Sequence, residues 1–321
     1  MKFVRSILLV CSSALAIHAA PADTFPNKPI RILVGYSAGG AVDIVARTVG
    51  KQLSASTGQP VFVDNKPGAG TNIAVRTLIE SPPDGTTLML SANALAANPS
   101  LYQPSPFDPE KDVAAVSLVG RVPVVIATGA GSPYASLAAL IAAAKAAPGT
   151  ISYATPGNGS TPHLAVELFA RAAGITLVHV PYRGGAQAIT DVLGGQLPLL
   201  AVNALEVQPH VKSGKLRVLA VMTTKRTAML PNVPTIAESG YPGFEASVWY
   251  GFIAPAATPK PVIARLHEEI QKAIRSPEVQ ERMGSVGGEV DPGTSEQFAT
   301  LIHSERVRYE KLIREAKLTP D

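Results

Sequence analysis

Cysteine is almost absent from this 321-residue chain, which contains only Cys11. Because Cys11 falls in an N-terminal stretch that we expect to be removed, the mature protein is predicted to have no disulfide, thiol nucleophile or thiolate metal site. Basic blocks are also lacking, and a net charge of +4 argues against nucleic acid as a partner. The six histidines lack metal-ligand spacing, and residues 68–70 (Gly-Ala-Gly) lack the third glycine of a dinucleotide fingerprint. No metal and no cofactor are therefore expected.

The first 22 residues have the pattern of a secretory signal peptide. Lys2 and Arg5 form its charged start, residues 7–17 its apolar middle, and residues 20–22 a small-residue cleavage site. After this segment no apolar run approaches the roughly 20 residues needed to span a bilayer. We therefore expect an exported protein from which residues 1–22 have been removed.

Strand-like and helix-like segments alternate through the rest of the chain, and hydrophobic residues make up 46% of it. The length exceeds that of a usual single domain, so we expect two lobes. Alternating strands and helices predict an α/β fold in which each lobe is a mostly parallel sheet flanked by helices. Two extended runs predict that residues 23–122 and 230–321 form the first lobe, and residues 123–229 the second.

Residues 35–43 (Gly-Tyr-Ser-Ala-Gly-Gly-Ala-Val-Asp) follow a strand-like run and precede a helix-like one. Loop amides at a helix start have no partners within the helix, and the helix dipole favours negative charge there. Gly39 and Gly40 let a ligand approach the backbone closely. With Gly40 as the N-cap, Asp43 takes the third helical position and can accept a bond from a loop amide. This stretch predicts a carboxylate site.

The same residues match the G-x-S-x-G pattern, which is also the local context of a nucleophile elbow. A Ser37 esterase is the alternative hypothesis. Only one strand precedes the loop in the mature chain, whereas a hydrolase fold places several strands there. Asp191 with His210 or His267 would be an arbitrary choice of triad partners.

A second polar loop, residues 155–161, carries two glycines, three hydroxyls and an asparagine before another helix-like run. These neutral donors suit a carboxylate, and His163 lies one turn into the helix. Arg183 is the only cation in the predicted loops; it either faces the ligand or forms a surface pair. Trp249, the sole tryptophan, either walls a cleft or packs in a core.

Taken together, the loops resemble those of solute receptors of the tripartite tricarboxylate transporter family, the Bug receptors, over essentially the whole mature chain. The matching segments keep a shared order and spacing, and they are residues 35–43 with Arg47, residues 65–70, 98–99, 153–157, Ser160 with His163, residues 180–184, 230–235, 238–240, 249–251 and 254–255. Tyr36-Ser37 stands where a proline is common, Arg183 where lysine is common, and Tyr250 interrupts a more usual Trp-Gly pairing. The departures at Tyr36-Ser37 and at Arg183 lie near the expected ligand and bear on ligand specificity.

The resemblance implies a type II-like periplasmic binding protein fold that closes on a small organic acid, with residues 36–40 and 155–160 holding a carboxylate with the help of water. It implies a periplasmic, monomeric receptor for di- or tricarboxylates, acidic amino acids or aromatic acids that serves a membrane transporter of the tripartite tricarboxylate type. A receptor that feeds a sensor kinase is an alternative. The expected ligand-binding residues are Tyr36, Ser37, Ala38, Gly39, Gly40, Asp43, Gly70, Thr71, Asn93, Thr155, Asn158, Gly159, Ser160, His163, Tyr182, Arg183, Gly184, Asn203 and Trp249.

Overall fold

The computed structural model describes residues 25–228, 230–285 and 288–320, so the predicted signal peptide lies outside the described residues. Strands and helices alternate in the first third of the chain. Their bounds are β1 (Ile30–Val34), α1 (Ala41–Thr57), β2 (Val61–Asn65), α2 (Asn72–Ile79), β3 (Thr87–Ser91) and α3 (Ala94–Leu101). The short segment Ala69–Thr71 forms a single 3₁₀ turn before α2.

The carboxyl ends of the first three strands meet at one edge of a parallel sheet. β1 lies between β2 and β3, and Val34 lies opposite both Asn65 and Leu90. The loops that follow the strands therefore begin side by side. Buried residues Val42, Val45, Val49 and Leu53 give α1 its packing face against this sheet, as their helical spacing predicts.

A second set of strands and helices follows a long central strand. Their bounds are β4 (Val113–Gly129), α4 (Leu137–Ala146), β5 (Ser152–Thr155), α5 (Thr161–Ala173), β6 (Val178–Pro181), α6 (Gly185–Leu193), β7 (Leu199–Asn203), α7 (Ala204–Lys212) and β8 (Leu216–Val221). β5 runs parallel to both β6 and β7. The second sheet thus has the same parallel character as the first.

Strand β4 belongs to both sheets. Its first part, residues 113–123, pairs antiparallel with β9 (Ser247–Pro255), which also pairs with β3. Its last part, residues 124–129, pairs antiparallel with β7 and β8. The strand order β2-β1-β3-β9-β4-β7-β5-β6 therefore joins two lobes through one continuous strand. The elements around β1–β3 are called the first lobe below, and those around β5–β8 the second lobe.

The C-terminal elements return to the first lobe. Their bounds are α8 (Lys260–Ile274), α9 (Pro277–Gly284), β10 (Glu289–Val290) and α10 (Ser295–Ala316). α8 packs on α1 and β4, and α10 packs on α3 and β4. The predicted α/β fold of two lobes is confirmed, while the exact lobe boundaries stay a prediction.

Two helices of the structure, α3 and α7, were not predicted from the sequence. Each contains a proline in its interior, Pro99 in α3 and Pro209 in α7. Proline normally ends a helix because it lacks the amide hydrogen and clashes with the preceding turn. Here both helices are short, and buried residues precede each proline, residues 94–98 in α3 and residues 204–208 in α7.

Candidate functional site

A small, partly enclosed cavity lies between the two lobes, at the edge where the strands of both sheets end. Its volume is about 20 Å³, room for little more than one water molecule. A ligand therefore enters only when the lobes separate. The residues that line it are Tyr36, Gly40, Ala41, Val42, Ala92, Pro156, Ser160, Thr161, Pro162, Gly185, Asn203, Glu206 and Val248.

Four helices begin at this cavity. Residues 40–42 start α1 in the first lobe, while residues 160–162, Gly185 and Asn203 start α5, α6 and α7 in the second. Each helix start contributes amide hydrogens and the positive end of a helix dipole. No lysine, arginine or histidine is among the described residues that line the space. The arrangement attracts an anion through oriented dipoles rather than through a formal positive charge.

Asp43 organises the first-lobe loop. As predicted, Gly40 is the N-cap of α1, and the Asp43 carboxylate accepts a bond from the Gly39 amide at 3.0 Å. It also accepts bonds from Asn65 Nδ2 at 3.0 Å and from Arg47 Nε at 3.0 Å. Burial opposes ionisation of Asp43, but these bonds outweigh it and lower the pKa of the carboxyl. Asp43 is buried and does not line the cavity, so it shapes the loop from behind.

The second-lobe loop is held by hydroxyl and imidazole groups. Ser160 is the N-cap of α5, and its Oγ accepts a bond from the His163 amide. The Gly159 amide donates to His163 Nδ1 at 3.2 Å, which requires a neutral ring nitrogen there. Thr155 Oγ1 lies 2.7 Å from His179 Nε2, and the His163 and His179 rings stack with centroids 4.0 Å apart. Burial lowers the pKa of His179 to about 4.

The lobes touch through backbone groups of the predicted loops. The Ser37 amide of the first lobe donates to the Arg183 carbonyl of the second at 2.8 Å. Gly70 has a positive φ of 58°, and a Cβ there would lie 2.8 Å from the Asn158 carbonyl oxygen. A Cβ on Gly159 would lie 2.5 Å from Asn98 Oδ1 across the interface. Glycine is required at both positions because the lobes approach so closely.

Glu206, which the sequence reasoning missed, lies at the centre of the site. It is 7% exposed; its Oε1 accepts the Ala41 amide of the first lobe at 2.9 Å, and its Oε2 accepts the Asn203 amide at 3.2 Å. Burial raises its pKa, and these amide bonds oppose the rise. Burial and then the Glu206 charge raise the pKa of Tyr36 well above its usual range. The spacing Asn203-x-x-Glu206 is a capping-box pattern, and this signal would have found both α7 and its glutamate.

Two predicted ligand residues belong instead to the core of the first lobe. Trp249 is fully buried, and its ring packs edge-to-face on Phe298 at 5.4 Å. Asn93 is 1% exposed; its Oδ1 accepts the Trp249 amide, and its Nδ2 donates to Tyr309 Oη at 3.1 Å. Neither side chain lines the cavity, and their expected contact with the ligand stays a prediction. Their position within a strand and at a helix start did not reveal on which side of the sheet they lie.

Other predicted residues contribute backbone or packing to the loops. The Arg183 side chain is exposed, so the predicted loop cation does not line the cavity. Tyr182 Oη donates to Asp191 at 2.5 Å. Thr71 occupies the N-cap of α2, but its side chain makes no capping bond and packs close to Gly35. Of the predicted set, the structure brings four residues to the cavity wall, namely Tyr36, Gly40, Ser160 and Asn203.

The backbone at Ser37 bears on the esterase alternative. In a nucleophile elbow the serine sits on a strained turn. Among the described residues other than glycine, positive φ occurs at Ala69, Thr71 and Lys317, so Ser37 lacks that strain. Ser37 is also absent from the cavity wall.

The described part of the chain contains no cluster of histidine, cysteine, aspartate and glutamate suited to a metal ion. None of its helices combines the length and the apolar character that a membrane crossing requires.

Two α/β lobes that share a strand and meet at a cleft lined by helix starts define a protein of the periplasmic binding type. The family model described as "Tripartite tricarboxylate transporter family receptor" matches residues 45–318, and the chain belongs to this family. The family is one of solute-binding receptors rather than of enzymes.

Relatives and solved structures agree with this assignment. Protein BugT of Bordetella pertussis is 39% identical over 306 residues, which cover 94% of each chain. The structure of the periplasmic binding protein BugD superimposes with a TM-score of 0.89 at 32% identity, covering 92% of this chain and 100% of that one. An R. palustris protein solved with adipate gives a TM-score of 0.88 at 31% identity, with the same coverage.

Proposed function

We propose that this protein is a periplasmic receptor that holds a small organic carboxylate between its lobes and delivers it to a membrane transporter of the tripartite tricarboxylate type. The observation that carries the proposal is the convergence of four helix starts on one cavity between the lobes. Charge-assisted hydrogen bonds from such amides contribute about 1.5 to 3 kcal/mol each. Several of them yield micromolar affinity, which corresponds to about 8 kcal/mol, after ordering costs are met.

The ligand carboxylate is expected to bind between the loop of residues 36–40 and the loop of residues 155–160. The lobes then rotate toward each other about β4 and about the segment that leads from β8 to β9. This closure buries the ligand. The relative solved with adipate supports a carboxylate as the ligand class. The receptor acts as a monomer, because one chain supplies both walls of the cleft.

The test uses mature protein from residue 23 onward. Native mass spectrometry identifies any molecule that copurifies, and a thermal-shift panel covers di- and tricarboxylates, acidic amino acids and aromatic acids. Calorimetry then measures the dissociation constant of the best acid and of its uncharged primary amide. We expect the acid to bind in the micromolar range and the amide to bind at least tenfold more weakly. If no acid in the panel binds, or if the fully amidated ligand binds as tightly, carboxylate capture is refuted.

Delivery is tested separately with vesicles that contain a candidate transporter. Uptake of the labelled ligand should require the receptor. A receptor that binds the ligand but instead raises the autophosphorylation of a sensor kinase would replace the transport role and leave the binding role intact.

A further inference from the structure

Two hydrogen-bond acceptors, Asn203 Oδ1 and the Glu206 carboxylate, belong to residues that line the cavity. Asn203 is 6% exposed and lines the cavity; its Oδ1 takes the capping-box position toward the Glu206 amide but makes no hydrogen bond of ordinary geometry with the residues that the structure describes. The nitrogen of the same side chain does have a partner, because Asn203 Nδ2 donates to Glu206 Oε2 at 3.3 Å. A buried acceptor that makes no bond is costly, and such groups normally have a partner.

The Glu206 carboxylate is fixed beside this acceptor. Its two oxygens are anchored by the Ala41 and Asn203 amides, one from each lobe. Two glycines make room for it: a Cβ on Gly40 would lie 3.1 Å from Oε1, and a Cβ on Gly185 would lie 2.2 Å away. The carboxylate is therefore held at the cavity by bonds from both lobes.

A hydroxyl group lies near the same wall. Tyr250 Oη is buried and has no hydrogen-bond partner among the described residues. Burial and then the Glu206 charge raise the pKa of Tyr250, so this hydroxyl stays protonated. Among the described residues that line the cavity there is no cation to balance a second anionic group.

Resting on the proposed function, we propose that Asn203 and Glu206 form a subsite that selects carboxylate ligands bearing a hydrogen-bond donor. The donor is a hydroxyl, an amide N–H or an ammonium group, and it satisfies Asn203 Oδ1 while the ligand carboxylate faces the helix starts. A second carboxylate at this wall would place its oxygens against acceptors and beside the buried Glu206 charge. Asn203 and Glu206 are thus specificity-determining residues of the cleft.

The test compares ligands that share one carboxylate and one chain length. The four-carbon series is butyrate, 4-hydroxybutyrate, 4-aminobutyrate, succinamate and succinate, and a six-carbon series repeats the same end groups up to adipate. Dissociation constants are measured by calorimetry on the mature wild-type protein at pH 7. In the series whose chain length fits the cleft, at least one donor-bearing acid should bind about tenfold more tightly than both the unsubstituted acid and the dicarboxylate. The hydroxyl, amide and ammonium members show which donor is preferred.

Two variants test whether Asn203 and Glu206 cause the preference for donor-bearing acids. Asn203→Leu keeps the side-chain size and removes the acceptor, so the advantage in affinity of the donor-bearing acid over the unsubstituted acid should fall about tenfold. Glu206→Gln removes the charge, so the gap between the dicarboxylate and its monoamide should narrow about tenfold. Glu269→Gln is the matched control, because Glu269 is a buried glutamate of α8, paired with Arg265 and Lys272 outside the cavity. It should leave the ligand ranking unchanged.

The order of ligand affinities of the wild-type protein tests the inference even if a variant fails to fold. A dicarboxylate that binds as tightly as, or more tightly than, every donor-bearing acid of its series overturns this inference and leaves carboxylate capture standing. If neither these series nor the wider acid panel binds, the proposed function fails and this inference fails with it.

Discussion

Asp43 shows how one side chain arranges a loop without entering the cavity. Its carboxylate gathers the Gly39 amide, Asn65 and Arg47, three groups from three separate segments. Such a carboxylate fixes the loop and directs the amides of the α1 start toward the cleft. Its effect on ligand binding is therefore indirect, through the geometry of residues 36–40.

We predict that Asp43→Ala lowers both stability and ligand affinity. A buried network that loses its acceptor leaves donors unpaired, at about 1 to 3 kcal/mol. Denaturant unfolding should show a loss of that size, and calorimetry with the ligand found by the panel should show a weakening of about tenfold. Asp84→Ala is the control: Asp84 also accepts a backbone amide and has a lowered pKa, but it lies in the turn before β3, away from the cavity wall. Equal affinities for wild type and Asp43→Ala would contradict the loop-shaping role.

At the scale of elements, the loop between β5 and α5 depends on neutral imidazoles. His163 accepts the Gly159 amide, and His179 lies against Thr155 and stacks on His163. A proton added to His179 would introduce charge beside the buried ring of His163. The loop that carries Ser160 is therefore coupled to pH through groups behind it.

Lowering the pH from 7 to 5 should destabilise the protein through His179. Its pKa is lowered from 6.5 to about 4, so the unfolded chain binds more protons between these values. The contribution is thus fully present above about pH 6.5 and is lost as the pH falls toward 4. Thermal unfolding should show a steeper fall in melting temperature for wild type than for His179→Gln. Parallel curves for the two proteins over pH 5 to 7 would refute this.

Helix α7 is an element that was not predicted from the sequence. No element was predicted between Asn203 and Leu216, so Glu206 was not considered as a site residue. Helix α1 was predicted from residue 41 onward and begins there, because buried residues at helical spacing mark its packing face. For α7 the local signal was the capping-box spacing of Asn203 and Glu206, in spite of the interior proline.

At the scale of the whole molecule, closure depends on small residues where the lobes meet. Gly159 of the second lobe approaches Asn98 of the first so closely that a side chain there would push the lobes apart. The same contact lies beside the Ser160 cap of α5. Closure and ligand binding should therefore be weakened together by a change at this point.

We expect Gly159→Ala to hinder closure and to weaken binding at least tenfold. Gly149→Ala is a matched control, since both glycines have a φ of +71°, yet a Cβ on Gly149 would meet only Thr176 Cγ2 at 3.9 Å. Both variants carry the same backbone strain, so a difference between them reports the contact between lobes. Small-angle scattering with saturating ligand should give a larger radius of gyration for Gly159→Ala. Identical radii and affinities for the two variants would show that this contact does not limit closure.

The sequence by itself determined the alternation of strands and helices, the loops at the start of α1 and α5, and the capping role of Asp43, because each depends on neighbours within a few residues. Only the tertiary structure decided which side chains reach the cleft. It buries Trp249 and Asn93 in the core of the first lobe. It also brings Glu206, from a helix distant in the chain, within hydrogen-bond distance of the Ala41 amide. Contacts of that kind join residues far apart in the chain, and their geometry is set by how two sheets and their helices pack, which no local pattern specifies.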